Sequence, residues 1–127
     1  MRITLIVGLP GSGKTHLANK LKVKRTTVVD DITSLEQLPD SPQELIITDV
    51  NFCDENILEM AKVKLQEKYF NVEFKVIYFE NDAEKARNNV RYRNDGRNVE
   101  GTIARFEKIY SPPTGLFLPR EIWQPRQ

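Results

Sequence analysis

Cysteine is nearly missing from this 127-residue sequence, a surplus of either charge is missing, and no long apolar run is present. Each absence excludes something. With Cys53 alone, no disulfide forms within the chain, and a reducing compartment is the natural expectation. Nothing around Cys53 has the local signature of a cysteine nucleophile, so it reads as a small residue at a helix start. Nineteen basic against eighteen acidic residues leave a formal charge of +1, so the whole molecule exerts no pull on nucleic acid or membrane; any such attraction needs a local patch. No stretch approaches the ~20 apolar residues of a membrane span. Met1-Arg2-Ile3 leads straight into a strand pattern, without the apolar region and cleavage site of a secretory leader. Repeats and low-complexity segments are missing too. The expectation is one soluble cytoplasmic domain with a modest core.

What is present is an alternation of strand and helix patterns. Ile3 to Val7 is a short apolar run ending in glycine, as a buried parallel strand feeding a tight loop does. Leu17, Ala18 and Leu21 then recur at helical spacing, predicting a helix from about Gly13 to Lys22. Thr26 to Val29 and Leu45 to Thr48 read as strands, ending at Asp30-Asp31 and Asp49. A single helical turn near Ser34 to Leu38 is the most that the prolines between them allow. Asp54 caps a helix running to Phe70, with Ile57, Leu58, Met60, Ala61 and Leu65 as its apolar positions. Glu73 to Phe79 is a fourth strand. Asp82 caps a charged helix to about Arg93, which Asn94-Asp95-Gly96 breaks. Val99 to Tyr110 is a last helix, with Ile103, Phe106 and Ile109 on one stripe. The tail 111–127 holds four prolines and reads as extended. The pattern predicts an α/β fold with a small, about four-stranded parallel sheet. In such sheets ligands bind beyond the carboxyl ends of the strands, where the glycine loop, Asp30-Asp31 and Asp49 all fall.

Gly8 to Thr15 reads GLPGSGKT and fits G-x-x-x-x-G-K-[ST]. Gly8, Gly11 and Gly13 let a backbone turn tightly around phosphate, with Pro10 and Ser12 completing the loop and a helix N-terminus behind it. Lys14 is placed to reach the β- and γ-phosphates of ATP, and the Thr15 hydroxyl to meet Mg²⁺. The required context, strand before and helix after, is met. His16 follows in the same nucleotide-binding run, with packing or solvent as its expected role rather than catalysis. Mg²⁺ takes a carboxylate besides phosphate oxygens, and Asp49, after Leu45-Ile46-Ile47-Thr48, has the form of a Walker B acid. At the mouth of a phosphate site Asp30 is suited to accept the proton of an attacking hydroxyl.

The stretch AEKARNNVRYRNDGR carries Lys85, Arg87, Arg91, Arg93 and Arg97. Arg87 and Arg91 are one helical turn apart and share a face. Arginines stabilise the charge spread over a transferring phosphoryl group, so the region 84–98 reads as a helical lid, with Arg91 and then Arg87 as its phosphate contacts. In the tail, Phe117 and Trp123 read as aromatics covering a sheet edge or helix.

Four stretches in order, GLPGSGKT, VVDD, IITDVN and ARNNVRYR before a terminal helix, resemble the kinase domain of the bacteriophage polynucleotide 5′-hydroxyl kinases and related small P-loop kinases. The resemblance spans most of residues 1 to 110. It implies a three-layer P-loop kinase fold and Mg·ATP as phosphate donor. The acceptor it implies is a hydroxyl, with a nucleic-acid 5′ end leading. It assigns Lys14 and Thr15 to the phosphates and metal, Asp30 to the general base, Asp49 to the strand-three acid and Arg91 to the lid. In that family an arginine follows the Asp pair; here Ile32, Thr33 and Ser34 stand there, and the segment before strand three is shorter. A nucleoside or small-metabolite kinase, and an ATP-binding module without transfer, are the alternatives.

Overall fold

The computed structural model describes residues 1–30, 32, 37–93 and 100–112. Four strands form, β1 (Arg2–Val7), β2 (Thr26–Asp30), β3 (Glu44–Thr48) and β4 (Glu73–Tyr78). They pair in the order β2-β3-β1-β4, every pair parallel. The helices are α1 (Lys14–Leu21), α2 (Glu55–Lys68), α3 (Ala83–Arg93) and α4 (Glu100–Glu107). The protein is therefore α/β, with a small four-stranded parallel sheet and four helices.

β1 sits inside the sheet and explains its own composition. Ile3, Leu5 and Val7 face one core, with Leu45 and Ile47 of β3, Leu58 and Leu65 of α2, and Ile103 and Phe106 of α4. Ile6 faces the other, with Ile46, Ile77, Phe79 and Ala18 of α1. A strand buried on both sides cannot alternate apolar with polar, hence the continuous run ITLIV. The chain leaves β1 through α1 toward β2, and leaves β3 through α2 toward β4, in opposite directions across the sheet. Connections of one hand then fall on opposite faces, and the two cores show this. Between the carboxyl ends of β1 and β3 the chain parts both ways, which opens a crevice there.

Local chemistry sets the helix ends. Asp54 accepts a hydrogen bond from the Asn56 N–H at 2.9 Å and caps α2, an interaction worth about 1 kcal/mol. Asp82 does the same for the Lys85 N–H at 3.0 Å at the start of α3. The end of α4 departs from the expected stripe. Ile103 and Phe106 are buried, but Ile109 is 46% exposed, because the helix stops at Glu107 and Tyr110 turns inward instead. Asn81 fixes that stop by donating to the carbonyls of Glu107 and Tyr110 at 2.9 Å each. The short 3-10 turn Val50–Cys53, between β3 and α2, has no sequence pattern that announces it. Asp31, the turn expected near Ser34, the break at 94–96, Arg97 and the tail beyond Pro112 lie outside the described residues. Among the described residues no helix is long and apolar enough to cross a membrane.

Candidate functional site

The loop between β1 and α1 is built around two left-handed glycines, Gly11 at φ 83° and Gly13 at φ 100°. Side chains rarely adopt that region, which accounts for glycine at both places. Gly11 is constrained twice over. A Cβ there lies 2.5 Å from the Ala86 carbonyl oxygen and 2.7 Å from Val90 Cγ2, because α3 packs directly on the loop. The Ser12 N–H donates to the Leu9 carbonyl at 3.0 Å and closes the turn. The Lys14 ammonium donates to the Gly8 and Leu9 carbonyls, 3.0 Å each, so its charge lies over the loop. Behind it α1 starts at Gly13 with no side-chain cap and no acid in its first turn. His16 stands in that first turn, half-buried. The Ser12 hydroxyl is buried and has no hydrogen-bond partner among the described residues. A buried polar atom left so is costly unless a ligand satisfies it.

Two carboxylates stand at the neighbouring strand ends. Asp30 pairs in register with Thr48. Its Oδ1 accepts from the Thr48 hydroxyl at 2.5 Å and from the Thr15 hydroxyl at 3.4 Å. A Thr15 proton directed at Asp30 leaves the hydroxyl lone pairs for a cation. Asp49 is 4% exposed, and its Oδ1 accepts from the Asn51 N–H at 2.8 Å and from Asn51 Nδ2 at 3.0 Å. Asp49 thus caps the 3-10 turn at the carboxyl end of β3. Among the described residues no three His, Cys, Asp or Glu converge into a cage. The Thr15 hydroxyl and the Asp49 carboxylate are nevertheless donors of the kind Mg²⁺ takes when phosphate oxygens and water complete its shell. The donors present therefore fit Mg²⁺ held together with a phosphate.

Cys53 ends the 3-10 turn and is buried behind the loop. Burial pushes its thiol up to about 12, against the lowering by the Lys14 charge and a Gly8 backbone hydrogen bond, with Asp49 adding to the rise. Such a thiol is inert. It also ties stability to alkaline pH. The folded value exceeds the ordinary 9.0, so the unfolded chain loses this proton first, and stability falls as pH rises from about 9 to about 12. Denaturant melts of the wild type are expected to lose about 1 kcal/mol to Cys53 between pH 9 and 10, and Cys53→Ala to remove that part of the slope. Equal slopes in the two proteins would refute the assignment.

α3 presents Ala86, Asn89 and Val90 to the loop. Asn89, 6% exposed, donates from Nδ2 to the Gly11 carbonyl at 2.7 Å, and its Oδ1 has no partner among the described residues. The two arginines expected over the phosphates stand about 100° further round the helix. Arg87 pairs with Glu100 at 2.5 Å and Glu107 at 3.6 Å, and these bonds, led by that to Glu100, raise its pKa. It braces α3 against α4 rather than lying open over the loop. Arg91 is exposed and donates to Asn88 Oδ1 on its own helix at 3.0 Å. Asn89, Thr48 and Tyr110 are the neighbours that sequence spacing does not single out. The buried Tyr110 hydroxyl donates to the Phe79 carbonyl and, at 3.3 Å, to the Val7 carbonyl, fixing the residue from which the loop departs.

On the α2 side of β3, below Asp49, lies a cavity of about 310 Å³. Its lining is mainly apolar, with Ile47, Ile57, Met60 and Leu65, and Lys64 stands among them.

The sequence matches no established protein family profile. Over 105 residues it is 31% identical to uncharacterized protein R277 of Acanthamoeba polyphaga mimivirus, an alignment covering 76% of this chain and 75% of the viral one. At that identity and coverage, the chain belongs to the same protein family as the mimivirus protein.

Proposed function

We propose that this protein is a phosphotransferase of the P-loop kinase type, which moves the γ-phosphoryl group of Mg·ATP to an acceptor hydroxyl. The observation that carries the reading is the loop. Two left-handed glycines, an uncapped helix start, a buried unpartnered serine hydroxyl and a lysine ammonium converge on one place, and all four suit a bound phosphate. The sheet order and the crevice beside β3 support the same reading.

The chain's own groups divide the work. Lys14 exchanges its contacts to the Gly8 and Leu9 carbonyls for β- and γ-phosphate oxygens. Thr15 and Asp49 would hold the metal side, with Thr15 oriented by its hydrogen bond to Asp30. Mg²⁺, when bound, neutralises charge on the phosphate oxygens and fixes their geometry. Asp30 Oδ1 is occupied by two hydroxyls, whereas Oδ2 has no partner among the described residues, which supports a role in taking a proton. The acceptor oxygen bonds to the γ-phosphorus. The bond from that phosphorus to the bridging oxygen breaks, ADP leaves with its electron pair, and the acceptor proton passes to Asp30. Arg91 joins the phosphates only by leaving Asn88.

The resemblance makes a nucleic-acid 5′-hydroxyl the first acceptor to test. A small-metabolite acceptor is the second reading, favoured by the cavity below Asp49. The experiment is transfer of label from γ-labelled ATP, with Mg²⁺, to 5′-hydroxyl DNA, 5′-hydroxyl RNA, nucleosides and a metabolite pool. Label on one acceptor class is expected. Tight Mg·ATP binding with no transfer to any acceptor would replace the kinase with a nucleotide-gated binding module.

A further inference from the structure

We propose that the cavity between β3 and α2 seats the acceptor, and that this acceptor is a small alcohol with an apolar body and one anionic group paired to Lys64. The proposal rests on the phosphotransferase reading. At about 310 Å³ the cavity lies at the lower end of small-molecule sites, which run from about 300 to 1,000 Å³. It admits one ring-sized group with short substituents.

Its walls are of two kinds. Ile47, Leu65 and Phe52 are buried parts of the core and form a fixed apolar base. Ile57 and Met60, on α2, are 38% and 57% exposed although both are large and apolar. Positions 57, 60, 61 and 64 share one face of a helix, so these side chains and Lys64 line the same side. The helix shows large apolar groups where a ligand removes them from water, and the thioether of Met60 adapts to a ring.

The charges orient the occupant. Lys62 is paired with Glu59 at 3.2 Å, and Lys68 lies over the Tyr69 ring. Lys64 has neither an ion-pair nor a hydrogen-bond partner among the described residues. Asp49 lines the cavity as well. Lys64 draws the anionic group, which leaves the rest of the molecule toward Asp49 at the carboxyl end of β3. A polynucleotide fits this face poorly. α2 carries three acids, Glu55, Glu59 and Glu67, against three bases, Lys62, Lys64 and Lys68, so it offers no basic track for a phosphate chain.

The test uses the full chain and four probes. These are 3-phenyllactate (carboxylate), 4-(hydroxymethyl)phenyl phosphate (phosphate), the neutral 3-phenyl-1,2-propanediol, and a 5′-hydroxyl oligonucleotide. Binding is read without nucleotide, from the Met60 methyl resonance. Transfer is read separately with γ-labelled ATP. At least one of the two anionic probes is expected to shift Met60, and the arm that does so identifies the anion. Lys64→Ala should weaken it about tenfold, Lys64→Arg should restore it, and the diol should be indifferent to both changes. Lys64 is exposed, so these variants keep the fold. No Met60 shift with either anionic probe, or equal losses for anionic probe and diol, overturns the cavity. Transfer to the oligonucleotide in preference to every small alcohol overturns the acceptor class. Met60 shifts without transfer to any acceptor overturn the acceptor role and the kinase reading together, leaving only a binding site.

Discussion

Lys14→Ala is expected to lower kcat for phosphoryl transfer by about a hundredfold or more, the loss typical of one preorganised donor aimed at developing charge. The geometry makes the loss specific. The ammonium lies against the Gly8 and Leu9 carbonyls at 3.0 Å each, so it stands over the loop before any phosphate arrives and exchanges those contacts for phosphate oxygens. Those contacts also give the lysine a structural share, which a single activity measurement cannot separate from the chemical one. Melting temperature and the Mg·ATP dissociation constant should therefore be measured on Lys14→Ala and Lys14→Met, the second keeping the aliphatic stem. The expected pattern is a small change in melting temperature, weakened Mg·ATP binding in both variants, and a kcat loss beyond what that weakening explains. Unchanged turnover at saturating ATP in a folded Lys14→Met protein would remove the loop from the mechanism.

Much of this arrangement was legible in the sequence because it depends on local rules. An apolar run without alternation specifies a strand covered on both faces, and ITLIV is one. Glycines spaced within GLPGSGKT specify a backbone of positive φ, and Gly11 and Gly13 have it. Asp54 and Asp82 announce helix starts because capping chemistry is confined to a few neighbouring residues. What stayed hidden depends on distance along the chain. Asn89 reaches Gly11 across 78 positions, and Tyr110 reaches Val7 across 103. No periodicity encodes such contacts. The partners of Arg87 belong to the same class. Its spacing from Arg91 suggested a shared phosphate-binding face, but Glu100 and Glu107 come from another helix, and their packing gives Arg87 to α4. Ile57 and Met60 have the right spacing for core, yet α2 turns them toward a cavity. Helical spacing reports which residues share a face, and tertiary packing decides what that face meets.

Asp30→Asn is the sharper of the two expected losses. Asp30→Ala would leave the Thr48 hydroxyl, 1% exposed at the residue level, without its acceptor, at a cost of about 1–3 kcal/mol that confuses stability with chemistry. Asparagine keeps a carbonyl oxygen to accept from Thr48 and Thr15 but cannot take up the acceptor's proton. If Asp30 is the base, kcat should fall by about a hundredfold to ten-thousandfold, the usual worth of a positioned base. The Mg·ATP dissociation constant should stay nearly unchanged, since no phosphate contact is assigned to this side chain. The neighbourhood offers a definite rival. Asp30 lies 3.4 Å from the Thr15 hydroxyl, close enough to act on the metal side by orienting that ligand. In that role the amide would weaken Mg²⁺ and Mg·ATP binding, and raised Mg²⁺ would recover most of the lost rate. Single-turnover transfer measured across a Mg²⁺ titration separates the two. A loss that persists at saturating Mg²⁺ assigns Asp30 to the acceptor proton. A loss that the metal repairs assigns it to Thr15 and removes Asp30 from the transfer of the acceptor proton.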